Sequence, residues 1–326
     1  MRARILLLLV GVLSLTACPT CARRAPRDEG GAPAPGSSVT VKGSDTLVLL
    51  GQRLAEAYMA SAPGRVVQVT GGGSGTGIAA LINGTTDIAS ASRALKDEER
   101  VQIEARRGVA PVETTVALDG IAVFVHRESP VTALSLPQLK AIYTGKLTRW
   151  SELGGPDAPI VLYGRENNSG TYAYFKERVL EEEDFAPETQ TLPGTAAVVN
   201  AVTRDRNAIG YGGIAYDSGI RIVAVREDAG AEAVAPTEDA VVHGRYPISR
   251  PLFMYTAGPP RGAVKAFLDF ALSPEGQALA SKVGYYPLPV GAGRVDEAAD
   301  ANPEADTAQP PLLEQPGEAD AEAELP

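Results

Sequence analysis

The chain has 326 residues, 44% of them hydrophobic and 21% charged, with a formal net charge of −10. Two cysteines, Cys18 and Cys21, both precede the foldable part, and the two histidines, His126 and His243, lie far apart in sequence. These numbers exclude a disulfide scaffold and a Cys/His metal cluster, and no basic, aromatic-rich stripe suggests nucleic acid. No metal or cofactor is expected.

Met1 to Arg4 is a short basic start, and Ile5 to Leu15 is an apolar run of about 11 residues. That is well short of the roughly 20 that a membrane-spanning helix needs, but it suits the core of a signal peptide. Leu15 to Cys18 reads Leu-Thr-Ala-Cys, which resembles a bacterial lipobox. On that reading residues 1–17 are a lipoprotein signal peptide and Cys18 is lipidated. The protein is then exported and anchored to the outer face of a bacterial membrane, in the periplasm or at the cell surface. Residues 18–37 are rich in Pro, Gly, Ala and Ser and read as a disordered tether. Residues 291–326 carry ten acidic residues and one basic one, Arg294, and read as a disordered acidic tail. The tail supplies much of the net charge, so that charge says little about the folded body.

Between these ends the pattern alternates. "SVTVKG" reads as a strand, Leu47 to about Ala60 as a helix, "RVVQVTG" as a strand and "GIAALING" as a helix closed by Asn83-Gly84. "TTDIASAS" is strand-like again. The alternation continues through "GIAVFVH", "LPQLKAIYTG", "IVLYGR", "SGTYAYFKERVL", "AAVVNAVT", "AIGYGG", "IRIVAV", "PLFMYT" and "VKAFLDFALS". Strands alternating with helices of this length predict an α/β fold with helices packed on a largely parallel sheet.

Three short stretches share a pattern: Ser44-Asp45-Thr46, Ser74-Gly75-Thr76 and Ser169-Gly170-Thr171. Each stands where a strand or a glycine-rich run gives way to a helix. Taken singly, each is a helix N-cap, its hydroxyl accepting from first-turn amides. The glycines of "GGGSGTG", and Gly170 after Ser169, strip side chains from those amides and point instead to an anion site. The nucleotide motifs fail on spacing: no lysine follows Gly77, and Thr76 occupies the sixth position of the dinucleotide fingerprint. Thr76 also breaks the hydrolase elbow around Ser74. Arg165, four residues before Ser169, could bring paired N–H donors to an oxyanion.

In order, "GSDT", "GGGSGTGIAALINGTTDIASASRAL", "LDGIAVFVH", "LPQLKAIYTGKLTRWSELGG", "RENNSGT" and "AIGY" resemble the phosphate-binding proteins of bacterial high-affinity phosphate ABC transporters. "FLDFALSPEGQALASKVGYYPLP" is similar to the closing segment of that family, and the likeness runs from about Val39 to Pro289. It implies the two-lobed, type II periplasmic-binding-protein fold, with residues 38–128 plus 246–290 as one lobe and 129–245 as the other. It further implies a monomer that holds inorganic phosphate between the lobes and delivers it to permease subunits. Thr46, the Leu47 amide, Ser74 and Gly75 would hold the anion from the first lobe, and Arg165, Ser169, Gly170 and Thr171 from the second. Many family members carry a carboxylate where this chain has Ser92-Arg93, and there it accepts the proton of hydrogen phosphate. Ser92 is therefore a binding residue that can both accept and donate. Asp45 is either a substitute acceptor or an N-cap, and Arg93 either a second cation or the partner of a nearby acid.

Two other readings stand beside this one. The same fold could serve sulfate, molybdate or a phosphate sensor. An exported phosphate-ester hydrolase with Ser74 or Ser169 as nucleophile lacks a histidine placed as base in the sequence.

Overall fold

The computed structural model describes residues 38–289. The expected signal peptide, the Cys18 lipid, the tether and the acidic tail lie outside the described residues. In chain order the elements are β1 (Ser38–Gly43), α1 (Asp45–Ser61), β2 (Val66–Thr70), α2 (Ser74–Ile82), β3 (Ile88–Ala91), α3 (Asp97–Arg107) and β4 (Pro111–His126). They continue with β5 (Ala133–Ser135), α4 (Leu136–Tyr143), a 3-10 turn (Trp150–Leu153), β6 (Val161–Arg165), α5 (Gly170–Arg178), β7 (Gln190–Leu192) and α6 (Gly194–Arg204). The last are β8 (Ala208–Gly213), β9 (Ile220–Arg226), α7 (Glu238–Val242), β10 (Ser249–Ala257), α8 (Gly262–Leu272) and α9 (Pro274–Val283).

The sheet runs β2-β1-β3-β10-β4-β8-β6-β7, with β9 pairing both β4 and β5. β1 lies parallel to β2 and β3, and β6 lies parallel to β7 and β8. The expectation of a largely parallel sheet needs correction, because β4 and β10 run antiparallel to their neighbours. These two strands carry the chain from one half of the molecule to the other instead of returning over a helix, so they need not obey the parallel crossover rule. β4 has 16 residues, about 50 Å at roughly 3.3 Å per residue. It pairs with β10 through Gly120 and with β8 from Ile121 onward.

Each half has its own core. In the first, α1, α8 and α9 cover one face with Leu47, Leu50, Leu54, Tyr58, Phe267 and Leu268. α2 and α3 cover the other with Ile78, Leu81 and Ile103. In the second half Tyr143, Phe175 and Tyr211 form an aromatic centre, with Phe175 of α5 stacked 3.9 Å from Tyr211 of β8. That stack fixes where the first turn of α5 lies. α6 packs Val198 and Val202 against Phe124 on the opposite face.

α3 is a helix the apolar pattern does not predict. Among its residues only Ile103 is buried, so no apolar stripe marks it, and it is held by charge. Three acids occupy its first turn and two arginines its last, which favours the helix dipole at both ends.

Candidate functional site

The three Ser-x-Thr stretches do stand at helix starts, but only one is an N-cap in the ordinary sense. Ser169 accepts from the amides of Thr171 and Tyr172 at 3.2 and 3.4 Å. Among the described residues the Ser44 side chain makes no capping bond at the start of α1. In α2 the cap position is Gly73, with Ser74 the first residue inside the helix. Asp45 is likewise inside α1 and not its N-cap. The hydroxyls of Ser44 and Ser74 are used elsewhere.

They are used on each other. Ser44 Oγ donates to Ser92 Oγ at 3.0 Å, Ser74 Oγ lies 3.4 Å from Ser92 Oγ, and the Ser92 amide donates to Ser74 Oγ at 3.1 Å. Across the junction of the halves, Thr46 Oγ1 and Thr171 Oγ1 are 2.9 Å apart. Gly170 closes the remaining space: a Cβ there would sit 2.4 Å from Ser74 Oγ and 2.7 Å from Ser92 Oγ. Ser44, Thr46, Ser74, Ser92, Ser169 and Thr171 are all buried. Buried hydroxyls need partners, and this cluster collects them at one point where three helix N-termini converge.

Arg165, 1% exposed, stands at the end of β6 and meets Asp45, the neighbour of Thr46, across the junction. Its NH1 donates to Thr195 Oγ1 at 2.9 Å, and its NH2 pairs with Asp45 Oδ2 at 3.0 Å across the junction. Its Nε–H has no partner among the described residues. Burial pulls this guanidinium below its ordinary value, against the opposing Asp45 charge, though an arginine stays protonated in any case. The other Asp45 oxygen accepts the Gly72 amide at 2.8 Å. Asp45 thus neutralises Arg165 and braces the glycine loop.

The loops meet directly as well. Asn168 Nδ2 donates to the Gly72 carbonyl at 3.0 Å, and the Gly75 amide donates to the Asn168 carbonyl at 3.0 Å. Gly73 is needed here, since its φ is +88° and a Cβ would lie 2.7 Å from that carbonyl. The Leu47 amide donates to the Ser44 carbonyl at 3.1 Å. Arg93 turns away from the cluster: NH1 and NH2 each bond a different oxygen of Glu99 at 2.7 Å. Of the two alternatives for Arg93, the structure has the ion pair with a neighbouring acid.

Sequence reasoning missed Arg250, Asp119, Asn168 and Thr195. Arg250 donates to Asp119, to the Ser92 carbonyl and to Thr171 Oγ1, all within 3.0 Å. Both lie inside long strands, Asp119 in β4 and Arg250 in β10. The available signal was an acid and a base, each embedded in an apolar strand, which are rarely buried unless paired. As to a nucleophile, among the described residues no histidine hydrogen-bonds Ser74 or Ser169. His126 Nδ1 accepts the Glu128 amide, and His243 faces Asp239.

Residues 29–275 match a family model described as the PBP superfamily domain. The phosphate-binding protein PstS of Pseudomonas aeruginosa is 36% identical over 264 residues, covering 76% of this chain and 82% of its own length. That of Staphylococcus epidermidis is 31% identical over 258 residues, covering 76% and 78%. Among solved structures, a phosphate ABC transporter substrate-binding protein from Clostridium perfringens with bound phosphate superposes with a TM-score of 0.69 at 35% identity, covering 78% of this chain and 100% of that one. An ABC-type phosphate transport receptor from Vibrio cholerae gives 0.63 at 29% identity, covering 77% and 100%. The chain belongs to the PBP superfamily, in the family of the PstS phosphate-binding proteins.

Proposed function

We propose that this chain captures inorganic phosphate at the junction of its two halves and delivers it to the permease of an ABC transporter. It does so outside the cytoplasmic membrane, as a monomer tethered by a lipid on Cys18, and without catalysis. The lobes would be residues 38–128 plus 246–290, and 129–245. The observation that carries the reading is that three helix starts bring a buried serine trio, the Thr46–Thr171 pair and the Arg165–Asp45 pair together where the two halves meet. Phosphate would be held by Thr46, the Leu47 and Gly75 amides, Ser74 and Ser92 on one side, and by Arg165, Ser169, Gly170 and Thr171 on the other. The Gly75 amide would exchange the Asn168 carbonyl for the anion, so that anion entry and loop contact are coupled.

The magnitudes are adequate without net positive charge. A helix N-terminus contributes about 0.3–1 kcal/mol, and up to about 2 when partly buried. Hydrogen bonds to a charged group contribute about 1.5–3 kcal/mol each. Several such terms, less the cost of association, leave the roughly 8 kcal/mol that micromolar binding requires.

A broader oxyanion receptor is favoured by one observation. Ser92 is a hydroxyl bonded to two other serine hydroxyls, and both Asp45 oxygens already accept bonds. A fully ionised sulfate, which needs donors only, would meet little repulsion there. Calorimetric titration of the purified chain, stripped of bound anion, tests both readings. Tight phosphate binding that is lost in Arg165→Ala is expected. If sulfate gives no heat, Asp45 or Ser92 accepts the phosphate proton. Equal binding of both anions makes the chain a general oxyanion receptor, and binding of neither sinks the proposal.

A further inference from the structure

Arg250 belongs to none of the Ser-x-Thr stretches, yet it is as closely tied to them as Arg165. It sits on β10 directly opposite Asp119 of β4, and both side chains are buried. Nε and NH2 donate to Asp119 Oδ2 at 3.0 and 2.8 Å, and Asp119 Oδ1 accepts the Ile214 amide at 3.1 Å. NH1 donates to the Ser92 carbonyl at 2.8 Å, and NH2 also donates to Thr171 Oγ1 at 3.0 Å. With each nitrogen engaged, the guanidinium has no latitude to move toward an anion.

Its chemistry acts through Thr171. A guanidinium only donates, whereas a hydroxyl has one proton and can also accept. In the contact with Arg250 the Thr171 oxygen is therefore the acceptor, and its proton is turned away from the cation. Its other hydrogen-bond neighbour is Thr46 Oγ1, 2.9 Å away, on the opposite half of the molecule. We propose that Arg250, locked by Asp119 on the two strands that join the halves, is a positioning residue that polarises the Thr171 hydroxyl to donate toward the bound anion. The Ser92 carbonyl contact ties the same guanidinium to the serine side of the cluster, so both sides are oriented by one group. The inference rests on phosphate as the ligand, as proposed above.

The test is a double-mutant cycle read by phosphate calorimetry, with melting curves recorded in parallel. One change is the pair Arg250→Met with Asp119→Asn, which strands no charge and keeps an acceptor for the Ile214 amide. The other is Thr171→Val, which removes the hydroxyl at nearly constant shape. Loss of a charge-assisted hydrogen bond predicts that the pair change weakens phosphate binding about 10-fold to 100-fold when Thr171 is present. In the Thr171→Val background the same change should cost less than about 3-fold. Equal losses in both backgrounds would assign the pair a structural role only and overturn the inference. Should the pair change fail to fold, Arg250→Lys replaces it in the cycle. Lysine keeps the charge but cannot span Asp119 and Thr171 together, so the same dependence on Thr171 is expected. A parent chain that takes up no phosphate overturns the proposed function and this inference together. A parent that binds, with equal losses in both backgrounds, overturns this inference alone.

Discussion

The two buried arginines of the junction look alike and do different work. Arg165 shares Asp45 with solvent, the Asp45 side chain being 23% exposed, and one of its nitrogens has no partner among the described residues. Arg250 meets an Asp119 with no exposure at all, and all three of its nitrogens donate. Burial pushes the Asp119 carboxyl up, and the Arg250 charge only partly offsets this. A cation with a spare donor and a half-open partner can exchange contacts with an incoming anion. A cation whose donors are committed cannot, and serves as frame. Burial alone therefore does not single out the arginine proposed to meet the anion; incomplete satisfaction does.

The largest effect should come from breaking the frame. Removing one partner of a fully buried pair leaves an uncompensated charge and costs about 3–5 kcal/mol. Asp119→Ala should therefore lower the melting temperature by roughly 6–20 °C, using about 2–4 °C per kcal/mol for a domain of this size. Asp45→Ala also leaves a buried guanidinium, but Arg165 keeps Thr195 and the space left by the partly exposed Asp45 admits water, so a smaller loss of about 1.5–3 kcal/mol is expected. Thermal melts of the two variants side by side decide this. Equal losses would erase the distinction between frame and ligand-binding cation.

A second variant separates the site from both pairs. Gly170 does not need a left-handed backbone, and it is the first residue of α5, so alanine suits the helix there. The added methyl would nonetheless press on Ser74 Oγ and Ser92 Oγ, where the anion is expected. Gly170→Ala should cut phosphate affinity by about 100-fold, the loss of one or two charge-assisted hydrogen bonds. Overpacking against those hydroxyls should cost about 1–3 kcal/mol, which lowers the melting temperature without phosphate by roughly 2–12 °C and leaves the chain folded at 25 °C. If titration shows unchanged affinity, the anion does not sit between Gly170 and the serines.

Much of this was legible in the sequence, and for local reasons. β1, β2, β6 and β8 announce themselves by apolar or β-branched runs, and α1 and α2 by the Ser and Gly positions before them. Arg165, Ser169 and Thr171 come together in three dimensions because they are close in the chain. Arg250 and Asp119 come together only through the pairing of β4 with β10, a relation between residues 131 positions apart. The pairing that lets an aspartate lie in a buried strand is non-local, so nothing near Asp119 in the chain marks it. Asn168 was invisible for a similar reason: its function is to meet the glycine loop of the other half. α3 escaped because its stability comes from charge at its ends and not from an apolar stripe.

Arg93 supplies a third case that sharpens the comparison, since its pair with Glu99 is only partly exposed, at 13% and 16%. Burial raises the Glu99 carboxyl, but the Arg93 hydrogen bonds, the Lys96 amide and the two positive charges together bring it below its ordinary 4.5. A carboxyl held down in the folded state contributes its full stability above the unfolded value. It loses that stability as the pH falls through the folded value. Glu99→Gln should therefore melt about 2–4 °C below the parent at pH 6, a cost of about 1 kcal/mol. The gap should close as the pH is lowered from about 5 toward 3, because the parent loses the charge that the variant never had. A gap that persists at pH 3 would mean that Glu99 holds the start of α3 by shape and hydrogen bonding alone. Phosphate affinity at pH 7 should not change in Glu99→Gln, because Arg93 meets Glu99 outside the hydroxyl cluster. A change there would return Arg93 to the site, as a third cation between frame and ligand.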